Sequence, residues 1–264
     1  MNSKFSNSDE YLLHNISQGK MNLNSQSSEM KPLMEIAWEA LSELDGLIEE
    51  CISTEFHLKW TNVLKVFRIA QGIRADLIEA LLLTEKGFYS TGGTILRSAL
   101  ENATVMIAVT QSDELMDQLN KDTLKTTRCL SVARRVFEDA GKRYGFLTEF
   151  GVHQHTTTLG QNLNPLEDGN HELLRTPEHN SFTEAAIVPL TNSILHICFM
   201  TFFTTELAFK TSLPKLRQIN DLGDNISTNH SGPITTLMNT HHAEVERISP
   251  ILWERQARMM ALRQ

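Results

Sequence analysis

Arg97 and Glu101 stand four residues apart in a strongly apolar stretch, a spacing that places both side chains on one face of a helix and lets the carboxylate hold the guanidinium. The plainer account is a solvent-facing ion pair worth a few tenths of a kcal/mol. The chemical account is a polar seam facing inward, in which Glu101 fixes Arg97 toward an anionic substrate or a catalytic histidine. Context favours the seam. Ile95, Leu96, Ala99, Leu100, Ala103, Val105, Met106, Ile107 and Val109 fill more than half the circumference of that helix, so the remaining stripe of Arg97, Glu101, Thr104 and Ala108 has little solvent arc to occupy. Ser98 and Asn102 fall inside the apolar arc and need hydrogen-bond partners there.

His153 and His155 follow Gly151 in a segment without helical periodicity, and imidazoles at such a place can shuttle protons or bind metal near neutral pH. No third ligand and no HExxH accompanies them, so neither a metal nor a cofactor is expected. His241 and His242 are adjacent, point about 100° apart on a helix, and read as surface histidines. His196 reads as a satisfied core or interface histidine. Arg128, Arg134 and Arg135 could meet phosphate, but a solvated basic face is the simpler reading. The nucleophile elbow, P-loop, dinucleotide fingerprint and kinase signatures are all absent from the sequence, which disfavours the common motif-bearing enzymes.

The elements that must position these residues are helices. Residues 1–30, rich in Asn, Ser and Gln, cannot bury enough apolar surface to order themselves and are expected to form a disordered arm. Residues 31–264 are expected to form one helical-bundle domain. Leu33, Ile36, Ala40, Leu44, Leu47 and Cys51 mark a helix over Pro32–Ile52. Val63, Phe67, Ala70, Leu77 and Leu81 mark a second that ends near Lys86, with Ser53 or Thr54 as cap and Phe56 and Trp60 on its apolar face. Three glycines in Gly87–Gly93 predict a tight reversal and an antiparallel hairpin with the Thr94–Gln111 helix. A fourth helix is expected from a Ser112 cap, with Asp113 and Glu114 in its first turn, to about Arg143. Gly145–Ser181 then reads as a long loop bearing His153, His155, His171 and His179. Thr183–Lys210 is apolar nearly all round and should lie in the core, kinked or restarted at Pro189. Ser231 with Pro233, and Ser249 with Pro250, predict two separate C-terminal helices. Strand-like alternation is nowhere seen.

The 264 residues, 41% hydrophobic and 21% charged, suit a globular all-α chain rather than a disordered or fibrous one. A net charge of -8 repels polyanions globally, although a local basic patch could still recruit one. Cys51, Cys129 and Cys198 are odd in number and unpaired in sequence, which fits no disulfide framework or zinc knuckle. The N-terminus lacks secretory-signal organisation, and the apolar run Ile194–Phe203 is too short to span a bilayer. A cytoplasmic, membrane-free protein is the expectation.

The stretch GFYSTGGTILRSALEN, in which Arg97, Ser98 and Glu101 form an RSxxE pattern followed later by His153, resembles the prokaryotic helical proteins related to the HEPN superfamily and the abortive-infection families. That resemblance implies an antiparallel helical bundle and a role in phage defence or a toxin–antitoxin system. Many such relatives are dimeric, metal-independent ribonucleases. It further implies that Arg97 stabilises a pentavalent phosphate, that His153 acts as general acid or base, and that Glu101 orients either one. Ser98, Asn102, His155 and Tyr89 complete the expected binding set, with RNA as substrate. The arginine and histidine spacing usual in those ribonucleases is missing: Arg143 and His153 are too far apart, and Arg175 and His179 too close. The competing expectation is therefore a non-catalytic helical interaction or sensor module with a protein partner. Self-association through a helical face is expected, since the resemblance implies a dimer and the Thr183–Lys210 helix is too apolar to leave much of its surface exposed.

Overall fold

The computed structural model describes residues 29–53, 61–151, 163–165, 171–173, 181–210 and 232–261. Its elements in chain order are α1 Lys31–Ser53, α2 Thr61–Glu85, α3 Tyr89–Gln111, α4 Asp113–Asn120, α5 Thr126–Ala133, α6 Ala140–Gly151, β1 Leu163–Pro165, β2 His171–Leu173, α7 Ser181–Lys210 and α8 Pro233–Ala261. The protein is all-α, as expected, apart from one small ladder: β1 and β2 pair antiparallel with Leu163 opposite Leu173. Three residues a side are too few for alternation to register in the sequence. The expected capping pair's Thr54, with Phe56, Trp60, His153, His155, His179 and Ser231, lies outside the described residues, as do residues 1–28 of the expected arm. The packed body begins before residue 31, because Met30 is fully buried and Glu29 pairs with Arg255 at 3.5 Å.

Helix α1 buries Leu33, Ala37, Ala40, Leu44, Ile48 and Cys51, the three- and four-residue steps of an amphipathic stripe. Helix α2 ends in a Schellman arrangement, with Gly87 N–H donating to Thr84 O at 3.0 Å and Phe88 N–H to Leu83 O at 2.8 Å. Gly87 adopts φ 85°, the left-handed conformation that this cap requires and glycine tolerates. The reversal needs only that one glycine, so α3 begins at Tyr89 rather than Thr94. Gly92 and Gly93 are helical residues at close contacts: a Cβ on Gly92 would lie 3.1 Å from Ala80 O of α2, and one on Gly93 2.8 Å from Cδ1 of Phe150 of α6. Gly72 of α2 is the opposite case, exposed and with nothing within 4 Å of where a Cβ would stand. Gly72→Ala should stabilise by about 0.5–1 kcal/mol through reduced unfolded-state freedom and better helix propensity, read as an increased urea midpoint at unchanged m-value.

The expected Ser112–Arg143 helix is three helices. Ser112 caps α4 as expected, its hydroxyl accepting from Leu115 N–H at 3.3 Å. The chain then leaves helical geometry at Lys121–Lys125, where Asp122 takes φ 53°, and again between Arg134 and Asp139. Asp tolerates the left-handed region through its short polar side chain. The expected long loop is shortened in turn, because Gly145 to Gly151 belong to α6.

Two prolines sit inside helices instead of starting new ones. Pro189 lies within the 30-residue α7, and Pro250 within the 29-residue α8. Ser249, expected as a cap, instead donates from its hydroxyl to Val245 O one turn back, at 2.7 Å. A single long C-terminal helix replaces the expected two.

Helix α3 packs against α2, α4, α5, α6 and α7, and α7 packs against α1, α2, α3 and α8. These two form the centre of the core, as their nearly continuous apolar circumference requires. The stretch Glu184–Ala208 is long and apolar enough, by length and composition, to cross a membrane, and 72% of its most apolar window is buried against the other helices. Most of that window is therefore covered within one chain. Arg255 ties α8 across the ends of α1 and α7, 2.7 Å from the buried Glu184 carboxylate as well as near Glu29.

Candidate functional site

Arg97 and Glu101 meet a third residue that the sequence does not point to. Tyr144, on α6, lays its ring 5.2 Å from the Arg97 guanidinium carbon. Its hydroxyl accepts from Nη2 of Arg97 at 3.1 Å and donates to Oε1 of Glu101 at 3.1 Å. Nε of Arg97 lies 3.2 Å from the same Glu101 oxygen, an ion-pair distance without hydrogen-bond alignment, since that nitrogen has no hydrogen-bond partner among the described residues. The Tyr144 hydrogen bond, foremost, raises the guanidinium above its ordinary range, with the nearby Glu101 adding to it. Three side chains from two helices thus form a closed polar triangle on the face of the central helix.

The triangle is wetter than a dry pocket. The side chains of Arg97 and Glu101 are 28% and 31% exposed, while Thr104 and Ala108, further along the same stripe, are buried. The seam therefore starts at the surface and runs into the core. Partial exposure lowers the value of the pair: Glu101→Gln should cost less than about 1 kcal/mol, rather than the roughly 3 kcal/mol of a charge stranded in a dry site. Chemical unfolding of that variant at neutral pH checks the figure.

The expected binding residues divide. Ser98 is exposed and Asn102 half-buried, and both hydrogen-bond to the Asp76 carboxylate of α2. Burial and the neighbouring Glu79 push Asp76 upward, and these two bonds hold it partly down. Ser98 and Asn102 thus tie α3 to α2. Tyr89, expected to bind, is fully buried in the core at the start of α3. His153 and His155 lie outside the described residues.

Two other histidines depart from expectation. His241 is 3% exposed rather than a surface residue, whereas His242 does face solvent and lies 3.3 Å from Glu246. Adjacent helical positions must diverge, and nothing in the pair says which one turns inward. His196 is buried as expected, edge-on to Phe137 with ring centroids 6.2 Å apart, yet it is not satisfied: Nε2 has no hydrogen-bond partner among the described residues. Burial, with Arg143 adding to it, pushes His196 down to about 3, although Asp139 acts in the opposite direction. Burial, then His242 and Arg143, pushes His241 down to about 4.

Arg128 pairs with Glu114 at 3.1 Å, and Arg134 and Arg135 are exposed, so the basic face is solvated as expected. The three cysteines are buried, and burial pushes the Cys129 and Cys198 thiols up, away from thiolate reactivity. Among the described residues no group of three or more His, Cys, Asp or Glu side chains could hold a metal ion. No protein-family model, curated protein or solved structure matches this chain.

Proposed function

We propose that the chain is a HEPN-like antiparallel helical bundle acting in the cytoplasm, in a prokaryotic defence or toxin–antitoxin type system, and that it cleaves RNA without a metal. The observation that carries this reading is Arg97, held on the central helix by Glu101 and Tyr144 with its side chain 28% exposed. A guanidinium held from behind by a carboxylate and a phenol is pre-positioned to stabilise charge on a phosphoryl group in flight, which is where such a group does most for catalysis. His153 is assigned proton transfer, Glu101 the orientation of Arg97, and Tyr144 joins the set as its second support. Incubation of a mixed RNA pool with purified protein, with and without EDTA, tests the reading: cleavage should be indifferent to EDTA and lost in His153→Ala. Cleavage that EDTA abolishes would refute metal independence, and an active His153→Ala would remove its assigned role.

The proposal includes a homodimer. Trp253, 71% exposed on α8, is a large ring of the kind that anchors interfaces. Light scattering at micromolar concentration should report twice the chain mass, and a strict monomer would count against the resemblance.

The second reading, a non-catalytic interaction or sensor module, is favoured by one specific feature of the triangle. Glu101 already offsets the charge of Arg97, and Tyr144 already uses one of its donors, which is how a structural tie between two helices is built. An RNA pool left intact under all conditions would select it.

A further inference from the structure

The missing side chain of Gly141 makes room for one group. Gly141 is the second residue of α6 and does not adopt the left-handed backbone, since Gly87 is the one positive-φ glycine among the described residues. A Cβ built on it would meet Nε of Arg134 at 2.7 Å, Cδ at 2.9 Å and Cζ at 3.1 Å, and these are its three nearest atoms. Neither a turn nor a helix crossing therefore accounts for the glycine, and a glycine inside a helix lowers stability relative to alanine. What it permits is the seating of the Arg134 guanidinium against α6. Arg134 is exposed, and among the described residues its side chain has no ion pair or hydrogen bond. Glu138 and Asp139, the acids between Arg134 and α6, do not pair with it, and Asp139 is engaged by Lys142 at 3.3 Å. Tyr144 stands three residues after Gly141, which puts both on one side of α6 with side-chain positions about 5–6 Å apart, and a helical tyrosine leans toward the turn before it. The guanidinium carbon of Arg97 lies 5.2 Å from the centroid of that same ring. Two guanidiniums thus occupy neighbouring turns of one α6 face. Arg134 comes from the end of α5 and Arg97 from α3, and the helices α3, α5 and α6 all pack against one another.

We propose that Arg134 is a second phosphate-binding residue for RNA, engaging the phosphate next to the one that Arg97 meets, and that Gly141 is the positioning residue that seats it there. The proposal rests on the assignment of Arg97 to a phosphoryl group of RNA. A guanidinium offers a fork of N–H donors matched to phosphate oxygens, and one without a counter-ion gives up no protein partner when the phosphate arrives. Phosphate contacts fix the register of a strand on a protein, so two of them on neighbouring turns set which phosphate reaches Arg97. Glu101 partly offsets the charge of Arg97, whereas Arg134 keeps its full charge. It therefore supplies local attraction for a polyanion in a chain whose net charge is -8.

The test is binding of the full chain to a short fluorescein-labelled 2′-O-methyl oligouridylate, followed by fluorescence anisotropy over a series of sodium chloride concentrations. The blocked 2′-hydroxyls cannot attack the neighbouring phosphate, so binding is read without cleavage. Arg134→Gln should weaken binding by about tenfold and make the slope of log affinity against log salt shallower by about 0.7, the share of one phosphate contact on a single strand. Gly141→Leu should produce the same two losses at unchanged net charge, because a side chain there displaces the guanidinium, whereas a solvated arginine with no role in binding would not respond to it. Arg135→Gln removes the same charge from the next residue and should change affinity by less than about twofold. Circular dichroism checks that each variant is folded, and Arg134→Gln alters only an exposed side chain. Losses in Arg134→Gln and Gly141→Leu uphold the proposal even where unmodified RNA is left uncleaved. Wild-type affinity and slope in Arg134→Gln, equal losses in Arg134→Gln and Arg135→Gln, or a wild type that does not bind the strand would overturn it, and a folded Gly141→Leu that binds like wild type would overturn the positioning role of Gly141. Cleavage of unmodified RNA in EDTA decides the nuclease reading separately.

Discussion

Between pH 8 and pH 5 the protein should lose on the order of 4 kcal/mol of folding stability, about 2 kcal/mol from each of His196 and His241. Both rings are buried and both are pushed far below the ordinary imidazole value of 6.5, to about 3 and about 4. Above pH 6.5 the imidazoles are neutral whether the chain is folded or not, and their contribution is fully present. Below it the unfolded chain takes up protons that the folded chain refuses, so stability falls with pH until the rings themselves protonate in the folded state, near pH 4 to 3. Most carboxylates titrate below this window, which leaves the descent from pH 7 to pH 5 to histidine. For a domain with a total stability of roughly 5–15 kcal/mol the loss is large. Urea unfolding across that range, in buffers free of phosphate, measures it. His241→Gln, which cannot titrate, should remove about half of the slope; a pH-independent stability, or an unchanged slope in that variant, would contradict the burial of these rings.

Gly92→Val should destabilise the protein by about 3 kcal/mol, the upper part of the range for overpacking a core contact. A Cβ at this position would meet Oγ1 of Thr84 at 3.0 Å and Ala80 O at 3.1 Å. Neither neighbour yields easily, because the hydroxyl of Thr84 is itself held by Ala80 O at 2.8 Å and the carbonyl belongs to the α2 backbone. The only relief is to move α3 away from α2, which would also disturb the Asp76 contacts with Ser98 and Asn102 further along that seam. A β-branched side chain adds the loss of χ1 freedom in a helix. Thermal or urea unfolding by circular dichroism reports the effect, and a loss under about 1 kcal/mol would mean that the two helices are not in close contact there.

The same glycine explains why part of the fold was not legible in the sequence. A cluster of glycines serves a reversal or a close helix contact equally well, and composition alone reads Gly92 and Gly93 with Gly87 as turn. Helices α3 and α7 were legible as central because a helix apolar nearly all round has no solvent face to offer. The break near Asp122 was not, since no glycine or proline announces it and a left-handed Asp is tolerated without a sequence signal. Ser249 and Pro250 carry the residue types of a helix start, yet the hydroxyl of Ser249 turns back to Val245 and the helix continues. At the site, the Arg97 and Glu101 pair follows from helical spacing, while Tyr144 arrives from more than 40 residues away through the packing of α6 on α3.

The most direct test of the central claim is the rate at which Arg97→Ala cleaves RNA in EDTA relative to wild type, with matched circular dichroism spectra establishing that both are folded. Removing a single positioned donor to a developing oxyanion typically costs about 10²–10³ in rate. The account predicts that wild type cleaves in EDTA and that Arg97→Ala falls by at least about 100-fold. A folded Arg97→Ala that cleaves at the wild-type rate, or a wild-type protein that leaves RNA intact, would contradict it.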